Sequence, residues 1–197
     1  MKKIVAVSQR VDIHPNRNEK RDALDHELCN WINEAGYLTV PVPNMLGQDK
    51  LLLWLKRLQP SAIILSGGNN IGEEKNRDKT EVELLNFAQQ FSLPLLGICR
   101  GMQMIGIWAG GALKNVEGHI GSSHLLYGEI VGEVNSYHNF SLCECPSSFE
   151  VIAVDENNYI EAIRHQTLPW EGWMWHPERE KVFQINHIQR LRNLFGK

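Results

Sequence analysis

Three short stretches of this 197-residue chain could do covalent chemistry together. Cys99 lies in Gly97-Ile98-Cys99-Arg100-Gly101, after the apolar run Leu93 to Ile98 and before the glycine-spaced apolar run Met102 to Leu113. That order reads as a buried strand, a sharp turn bearing one thiol, and a helix. Small residues two positions either side of a nucleophile allow a strained turn to push it outward, and a helix N-terminus favours thiolate. His176 and Glu178 flank Pro177, which fixes the local backbone. A thiol, an imidazole and a carboxylate are the parts of a nucleophile–base–orienter triad. In it His176 takes the Cys99 proton and returns it to a leaving amine, while Glu178 orients and charge-stabilises the ring. The oxyanion needs backbone N–H donors. The amide of Arg100 is one candidate and the Gly67-Gly68 pair, where backbone can approach a ligand closely, is the other. Taken singly, each piece is ordinary: a buried small residue, a surface turn, a glycine turn. Their joint appearance in one chain favours the triad.

The elements that must position these groups follow from the apolar pattern. Ile4 to Val7, Leu38 to Val42, Ala62 to Leu65 and Leu93 to Ile98 read as strands. Helices are predicted over Arg21–Ala35, stopped by Gly36, over Asp49–Leu58 with Asp49 as cap, over Asp78–Gln90 and from Arg100. Ser8 to Lys20 is polar and reads as a loop. The alternation predicts an α/β fold with a mostly parallel central sheet and helices on both faces. After Leu113 the pattern changes. Gly118 to Gly132 mixes Gly, Ser and His; Phe149–Val154 and Tyr159–Arg164 read as a hairpin; Trp170–Trp175 reads as a short strand; Phe183–Phe195 reads as a helix. A single domain over residues 1–197 is expected, with a small antiparallel β annex late in the chain. In such sheets ligands bind beyond the carboxyl ends of the strands, where Gly67-Gly68, Cys99 and His176 all fall.

Composition narrows the class. A net charge of -3 gives no electrostatic footprint for nucleic acid. No window approaches a membrane span, and the apolar part of the N-terminal segment is too short for a signal peptide, so a cytoplasmic location is expected. Four cysteines, Cys29, Cys99, Cys143 and Cys145, do not make a disulfide framework, and Cys143-x-Cys145 lacks a second ligand pair at zinc spacing.

Ser66-Gly67-Gly68, Gly97-Ile98-Cys99-Arg100-Gly101-Met102-Gln103, Asn135-Ser136-Tyr137-His138 and Trp175-His176-Pro177-Glu178 together resemble a class I glutamine amidotransferase domain. The likeness spans nearly the whole chain. Cys-Arg-Gly-Met-Gln, Val134-Asn135-Ser136-Tyr137-His138, Ile160-Glu161-Ala162-Ile163 and Arg77-Asp78-x-x-Glu81 are similar to the stand-alone γ-glutamyl hydrolase branch. The resemblance implies a flavodoxin-like fold and a glutamyl thioester on Cys99, with water releasing glutamate. It implies Cys99, His176 and Glu178 as the triad and Gly68 and Arg100 as oxyanion donors. Gln103 would contact the glutamyl group one turn past the nucleophile. Ser136, Tyr137 and His138 would hold its α-amino and α-carboxylate groups, largely through backbone, and Glu81 would assist at the α-amino group. No metal or cofactor is implied, so His119, His124 and His138 read as loop or substrate-segment histidines.

The chain departs from the family pattern at Asn69, where proline is usual, and at Met174, where many relatives carry glutamine. Alternate members of Trp170, Trp173 and Trp175 read as strand-core packing in preference to stacking on a base or sugar. Arg10, Arg17, Lys20 and Arg21 form a basic cluster. A solvated loop is the default; the sharper expectation is that Arg10 and Arg21 contact a phosphate-bearing leaving group. The expected partner is a small-molecule γ-glutamyl substrate, with a nucleotide-linked leaving group compatible with that cluster. No nucleic acid or membrane partner is expected. The rival readings are a glutaminase subunit feeding ammonia to a separate synthetase, a γ-glutamyl-polyamine hydrolase, and a non-enzymatic module on the same fold. The intact triad argues against the last.

Overall fold

The structure, a computed structural model, describes residues 3–196. In chain order it contains β1 (Ile4–Ser8), β2 (Arg10–His14), β3 (Glu19–Ala23), α1 (His26–Glu34), β4 (Leu38–Val42), α2 (Gln48–Leu58), β5 (Ala62–Leu65), α3 (Lys75–Phe91), β6 (Leu95–Ile98) and α4 (Arg100–Trp108). There follow β7 (Leu113–Asn115), β8 (Ile120–Gly128), β9 (Gly132–Tyr137), β10 (Phe140–Leu142), β11 (Phe149–Val154), β12 (Ile160–His165), β13 (Trp170–Trp173) and α5 (Ile185–Leu194). Among the described residues no helix is long and apolar enough to cross a membrane.

Nine strands form one sheet in the order β4-β1-β5-β6-β13-β12-β11-β8-β9. β4, β1, β5, β6 and β13 run parallel. The remaining four pair antiparallel, so the predicted annex continues the same sheet. The parallel strands are apolar throughout because both faces are covered. Val5, Val7, Ala62, Ile64, Leu96 and Ile98 pack with Leu28, Trp31 and Ile32 of α1 and Ile188 and Leu191 of α5. Their alternates Ala6, Ile63, Leu65 and Leu95 pack with Leu51 and Leu55 of α2, Leu84, Leu85 and Ala88 of α3, and Met102 and Ile105 of α4. The period-two alternation thus assigns each helix a face. Packing dominates local signals here. The α1 cap, Asp25 accepting from the Glu27 amide at 2.9 Å, is worth about 1 kcal/mol. Each fully buried Leu, Ile or Trp side chain below it contributes about 1.5–3 kcal/mol.

Several expectations are corrected. Residues 10–23 form a two-stranded hairpin with register Arg10↔Ala23 to His14↔Glu19, where the sequence pattern predicts a loop and the start of a helix. Most of its residues are at least partly exposed, so no apolar alternation betrays it. Accordingly α1 begins at His26. α2 begins at Gln48 after Gly47 at φ 70°, and Asp49 lies in its first turn, where the helix dipole still favours it. α4 ends at Trp108, well short of Leu113. β8 lies in the Gly/Ser/His-rich stretch to which the pattern assigns no element, and β9 begins where that stretch ends and forms the sheet edge. Trp170, Trp173 and Trp175 are fully buried, and Trp173 stacks on Trp175 at 5.3 Å, so all three belong to the core.

Candidate active site

β6 delivers Cys99 to the carboxyl edge of the sheet, and α4 leaves at the next residue. Cys99 has φ 52° and ψ −106°, a conformation that costs a non-glycine residue energy. Its amide is pinned to the Trp173 carbonyl at 2.7 Å and its carbonyl accepts from the Gln103 amide at 3.1 Å. Such an elbow needs α4 hard against the sheet. A Cβ on Gly101 would lie 2.1 Å from the Leu65 carbonyl oxygen, and one on Gly97 would lie 2.5 Å from the Gly101 carbonyl carbon. These approaches exclude side chains at both flanking positions.

β13 ends one strand over, and Trp175 leads into His176 and a single 3-10 turn, Pro177–Arg179. His176 Nδ1 lies 2.6 Å from Glu178 Oε1, and the Cys99 side chain lies near enough to favour the charged ring. With Nδ1 committed to Glu178, Nε2 is the nitrogen left for the thiol. The backbone of His176 is clamped by Asn135. Its side chain accepts from the His176 amide at 3.0 Å and donates to the His176 carbonyl at 2.7 Å. Asn135 therefore positions the base, a role hidden in the sequence, where its motif reads only as a substrate segment. Gly67 packs against the imidazole, where a Cβ would meet Cε1 at 2.5 Å.

Burial opposes a charge on His176, but Cys99 and Glu178 beside the ring outweigh it and push its pKa up to about 9. An imidazolium is the counter-charge a thiolate needs and the acid a leaving amine needs. Turnover is expected to fall on the alkaline side with an apparent pKa near 9, and Glu178→Gln should move that limb downward; an unmoved limb would assign it to another group. The same shift affects stability. A folded-state pKa above the unfolded value stabilises fully below the unfolded value, about 6.5. That contribution is lost as pH rises from there through the folded value.

The oxyanion loop follows β5. Arg77 of α3 reaches over and donates to three successive carbonyls: Ser66 at 2.7 Å, Gly67 at 2.9 Å, and Gly68. It also donates to Glu81 Oε1 at 3.0 Å. Arg100 turns its side chain inward to Glu81 and Asp78, and Ser8 donates to Glu81 at 2.8 Å. The result is a buried assembly of two cations and two carboxylates beneath the nucleophile. It corrects the expectation for Glu81, which is fully buried with both oxygens engaged. Two buried guanidinium groups require counter-charges there, so Glu81 supports the loop and does not face a ligand. Arg100 opens α4, and a first-turn amide has no partner inside its own helix. Gly68 has φ 82°, which keeps it glycine.

A cleft of about 220 Å³ opens over Cys99, lined by Gly68, Arg100, Gln103, Tyr137 and His138 among others. Gln103 is anchored by its amide to the Phe140 carbonyl at 3.0 Å. Ser136 is fully buried and donates its hydroxyl to the His119 carbonyl at 2.8 Å, leaving only its backbone for a ligand. Tyr137 is exposed, with its ring edge on His176 at 5.9 Å and the Arg179 guanidinium 4.7 Å from its centre. The side chain of His138 turns away into a cluster with His119 and Glu161.

On the other side of His176 a smaller hollow is lined by Arg10, Asp25, Gly67, Gly68, His176, Glu178 and Arg179, among others. Arg10 packs on Gly68, within 3.3 Å of a Cβ placed there. Arg21, expected beside it, does not line this hollow. It is exposed and paired in bidentate fashion with Glu19, further along the ribbon from the Arg10–Ala23 pair that borders the hollow, and Lys20 pairs with Glu74. Asn69 has φ 53°, a value closed to proline but open to asparagine. Its side chain accepts from the Val11 amide at 2.8 Å and donates to the Val11 carbonyl at 3.1 Å. The departure from proline at this position therefore straps the β2–β3 hairpin, and with it Arg10, to the oxyanion loop.

A sequence profile of the glutamine amidotransferase class-I family matches residues 19–189. The γ-glutamyl-CDP-amidate hydrolase of Campylobacter jejuni is 30% identical, with 98% of this chain and 97% of the relative covered. One subunit of the glutamine-hydrolysing GMP synthase of Pyrococcus abyssi is 33% identical over 87% of this chain and 91% of its own. A glutamine amidotransferase structure from Thermotoga maritima superposes with a TM-score of 0.65 at 14% identity, covering 99% of this chain and 83% of the other. A Thermoplasma acidophilum structure described as a GMP synthase subunit reaches 0.75 at 20% identity, covering 100% and 94%.

Proposed function

Because the chain belongs to the class-I glutamine amidotransferase family, we propose that it cleaves a γ-glutamyl amide bond through a thioester on Cys99. The single observation that carries this reading is the His176 ring held by Glu178 beside Cys99, at a cleft that also contains Gln103. The thiolate attacks the γ-carbonyl carbon, and the oxyanion takes the amides of Gly68 and Arg100. His176 gives its proton to the departing nitrogen as the C–N bond breaks. The ring then takes a proton from water, whose oxygen displaces Cys99 and releases glutamate. The backbone of Ser136–His138 holds the glutamyl end.

For the leaving group we propose a diphosphate, with γ-glutamyl-CDP-amidate as substrate and cytidine diphosphoramidate as product, which would place the enzyme in capsule phosphoramidate synthesis. Two features support this: the named Campylobacter jejuni relative, and Arg10 and Arg179 flanking the hollow beyond His176. The second reading, a glutaminase delivering ammonia to a separate synthetase, is favoured by the GMP synthase subunits among the relatives.

Released glutamate from the isolated chain, scored on γ-glutamyl-CDP-amidate, γ-glutamyl-putrescine and glutamine, separates these readings. The nucleotide substrate should give the highest kcat/KM. Glutamine turnover that appears only with a partner would overturn the hydrolase reading. A charge-assisted hydrogen bond is worth about 1.5–3 kcal/mol, and Arg10 is half exposed, which favours the lower end. Arg10→Ala should therefore raise KM for the nucleotide substrate about tenfold and leave that for glutamine nearly unchanged. Arg21→Ala should do neither.

A further inference from the structure

Behind the substrate segment, β8, β9 and β12 bring three histidines and two carboxylates together. None of them touches the triad. His119 precedes β8, His124 lies within it, His138 follows β9, Glu161 lies in β12, and Asp155 lies in the turn before β12. All five are buried. Both oxygens of Glu161, Asp155 Oδ2 and His124 Nε2 lack a hydrogen bond of good geometry, although Glu161 is fully buried. Leaving such atoms unsatisfied is costly.

The tautomers sharpen the picture. His138 Nδ1 lies 3.1 Å from the Phe140 carbonyl oxygen, which can only accept, so Nδ1 carries the proton and Nε2 presents a lone pair. His119 Nε2 faces Asp155 Oδ2 at 3.4 Å, which favours a proton there and leaves a lone pair on Nδ1. These two lone pairs face one another and the same Glu161 oxygen. The edges of the triangle are His119 Nδ1 to His138 Nε2 at 3.2 Å, His138 Nε2 to Glu161 Oε1 at 3.4 Å, and His119 Nδ1 to Glu161 Oε1 at 3.9 Å. Three acceptors that close together repel unless something positive lies between them. Donor atoms around a tetrahedral zinc ion, each about 2.0–2.1 Å from the metal, are themselves about 3.3 Å apart. The triangle has nearly that size. Histidine ligands also commonly donate their other ring N–H to a backbone carbonyl or a carboxylate, as His138 does here to Phe140, while His119 Nε2 faces the Asp155 carboxylate. His124 Nε2 lies 3.2 Å from Glu161 Oε2, and His119, His124 and Glu161 each offer an atom within 4.8 Å of the others.

We propose that this cluster is a structural site for a divalent transition metal of the zinc type, bound by His119 Nδ1, His138 Nε2 and Glu161 Oε1, with water as the fourth donor and His124 holding the other Glu161 oxygen. Imidazole and carboxylate donors suit zinc and cobalt. The ion would lock the turn after Tyr137. The Phe140 carbonyl that receives His138 also anchors Gln103, and the His119 carbonyl receives both the Ser136 hydroxyl and the His138 amide. Metal occupancy therefore orders the floor of the substrate cleft without joining the chemistry.

The test is titration of chelator-stripped protein with Co²⁺, followed by visible absorption, with bound zinc measured separately after dialysis against Zn²⁺. One equivalent of cobalt with the visible bands of four-coordinate nitrogen–oxygen ligation is expected. The bands should persist in Cys99→Ser and Cys143→Ser and be lost in Glu161→Gln and His119→Asn. Zinc should raise the Tm of the wild type and of the two cysteine variants, and leave that of Glu161→Gln and His119→Asn unchanged. Absence of a bound equivalent in the wild type overturns the proposal without recourse to any variant, and means that a shared proton fills the triangle. Sulfur-to-cobalt charge transfer that disappears in Cys99→Ser or Cys143→Ser also overturns it, by placing the ion on a thiol. Should Glu161→Gln fail to fold, His138→Asn replaces it; full retention of the bands in both His119→Asn and His138→Asn counts against the site.

Discussion

Cys99→Ala is expected to release glutamate more slowly by on the order of 10⁴-fold or more, the scale on which triad members act as a unit, with its fold intact. The thiol is the only atom removed, and it lies 6% exposed at the mouth of the cleft, so little packing is lost. Cys99→Gly should be just as inactive yet more stable than Cys99→Ala. At φ 52° and ψ −106° a residue with a Cβ carries strain of about 1–3 kcal/mol. Glycine relieves it but adds freedom to the unfolded chain at a cost of about 0.5–1 kcal/mol. The first effect is larger, so a net gain of about 1 kcal/mol should appear in urea unfolding. A glycine variant no more stable than the alanine variant would mean that the elbow stores no strain. Retained glutamate release in Cys99→Ala would mean that another group is the nucleophile.

The second large effect belongs to Arg77. Arg77→Met keeps most of the apolar stem and removes the donor contacts to Ser66, Gly67, Gly68, Asn69 and Glu81. Breaking a buried ion pair by deleting one partner costs about 3–5 kcal/mol, and here three loop carbonyls lose their donor as well. Burial already pushes the Arg77 pKa down, and the neighbouring Arg100 adds to this against the pull of Glu81. The loop that Arg77 shapes carries the Gly68 amide and the Gly67 contact with His176. Activity should therefore fall through kcat by on the order of 10²-fold, the scale of a small misplacement of catalytic groups. Arg77→Lys should recover part of the stability, because the charge returns, but little of the kcat, because an ammonium cannot span the carbonyls as the planar fork does. Full recovery of kcat by lysine would show that the loop keeps its shape without Arg77.

Much of the parallel half of the sheet is legible in the sequence because its strands are buried on both faces. Ala62–Leu65 and Leu95–Ile98 could hardly be anything else, and the glycines around Cys99 announce a close turn. The hairpin at residues 10–23 is not legible. A solvated two-stranded ribbon has no buried face to print an alternation on its sequence, so Glu19-Lys20-Arg21-Asp22 looks like any polar loop. Arg21 does share a face of the ribbon with Arg10, since it pairs with Asp12 in register, yet each arginine is taken by an acid of its own strand, Arg10 by Asp12 and Arg21 by Glu19. Glu81 shows the converse failure. Its type suits an ammonium group, but only the folded chain reveals two arginines already claiming it.

Read in one dimension, the chain supplies a set of parts and their order: a thiol at a strand–helix elbow, an imidazole and carboxylate around a proline, a glycine pair after a strand. These are local, because turn chemistry and strand burial act over a few residues. Everything that needs distant segments to arrive at one place comes from the tertiary fold. Asn135 holds His176, Arg77 shapes the oxyanion loop, Asn69 ties Arg10 to that loop, and three histidines converge on Glu161. Such contacts arise from strand order and register, and a linear string of residues records neither.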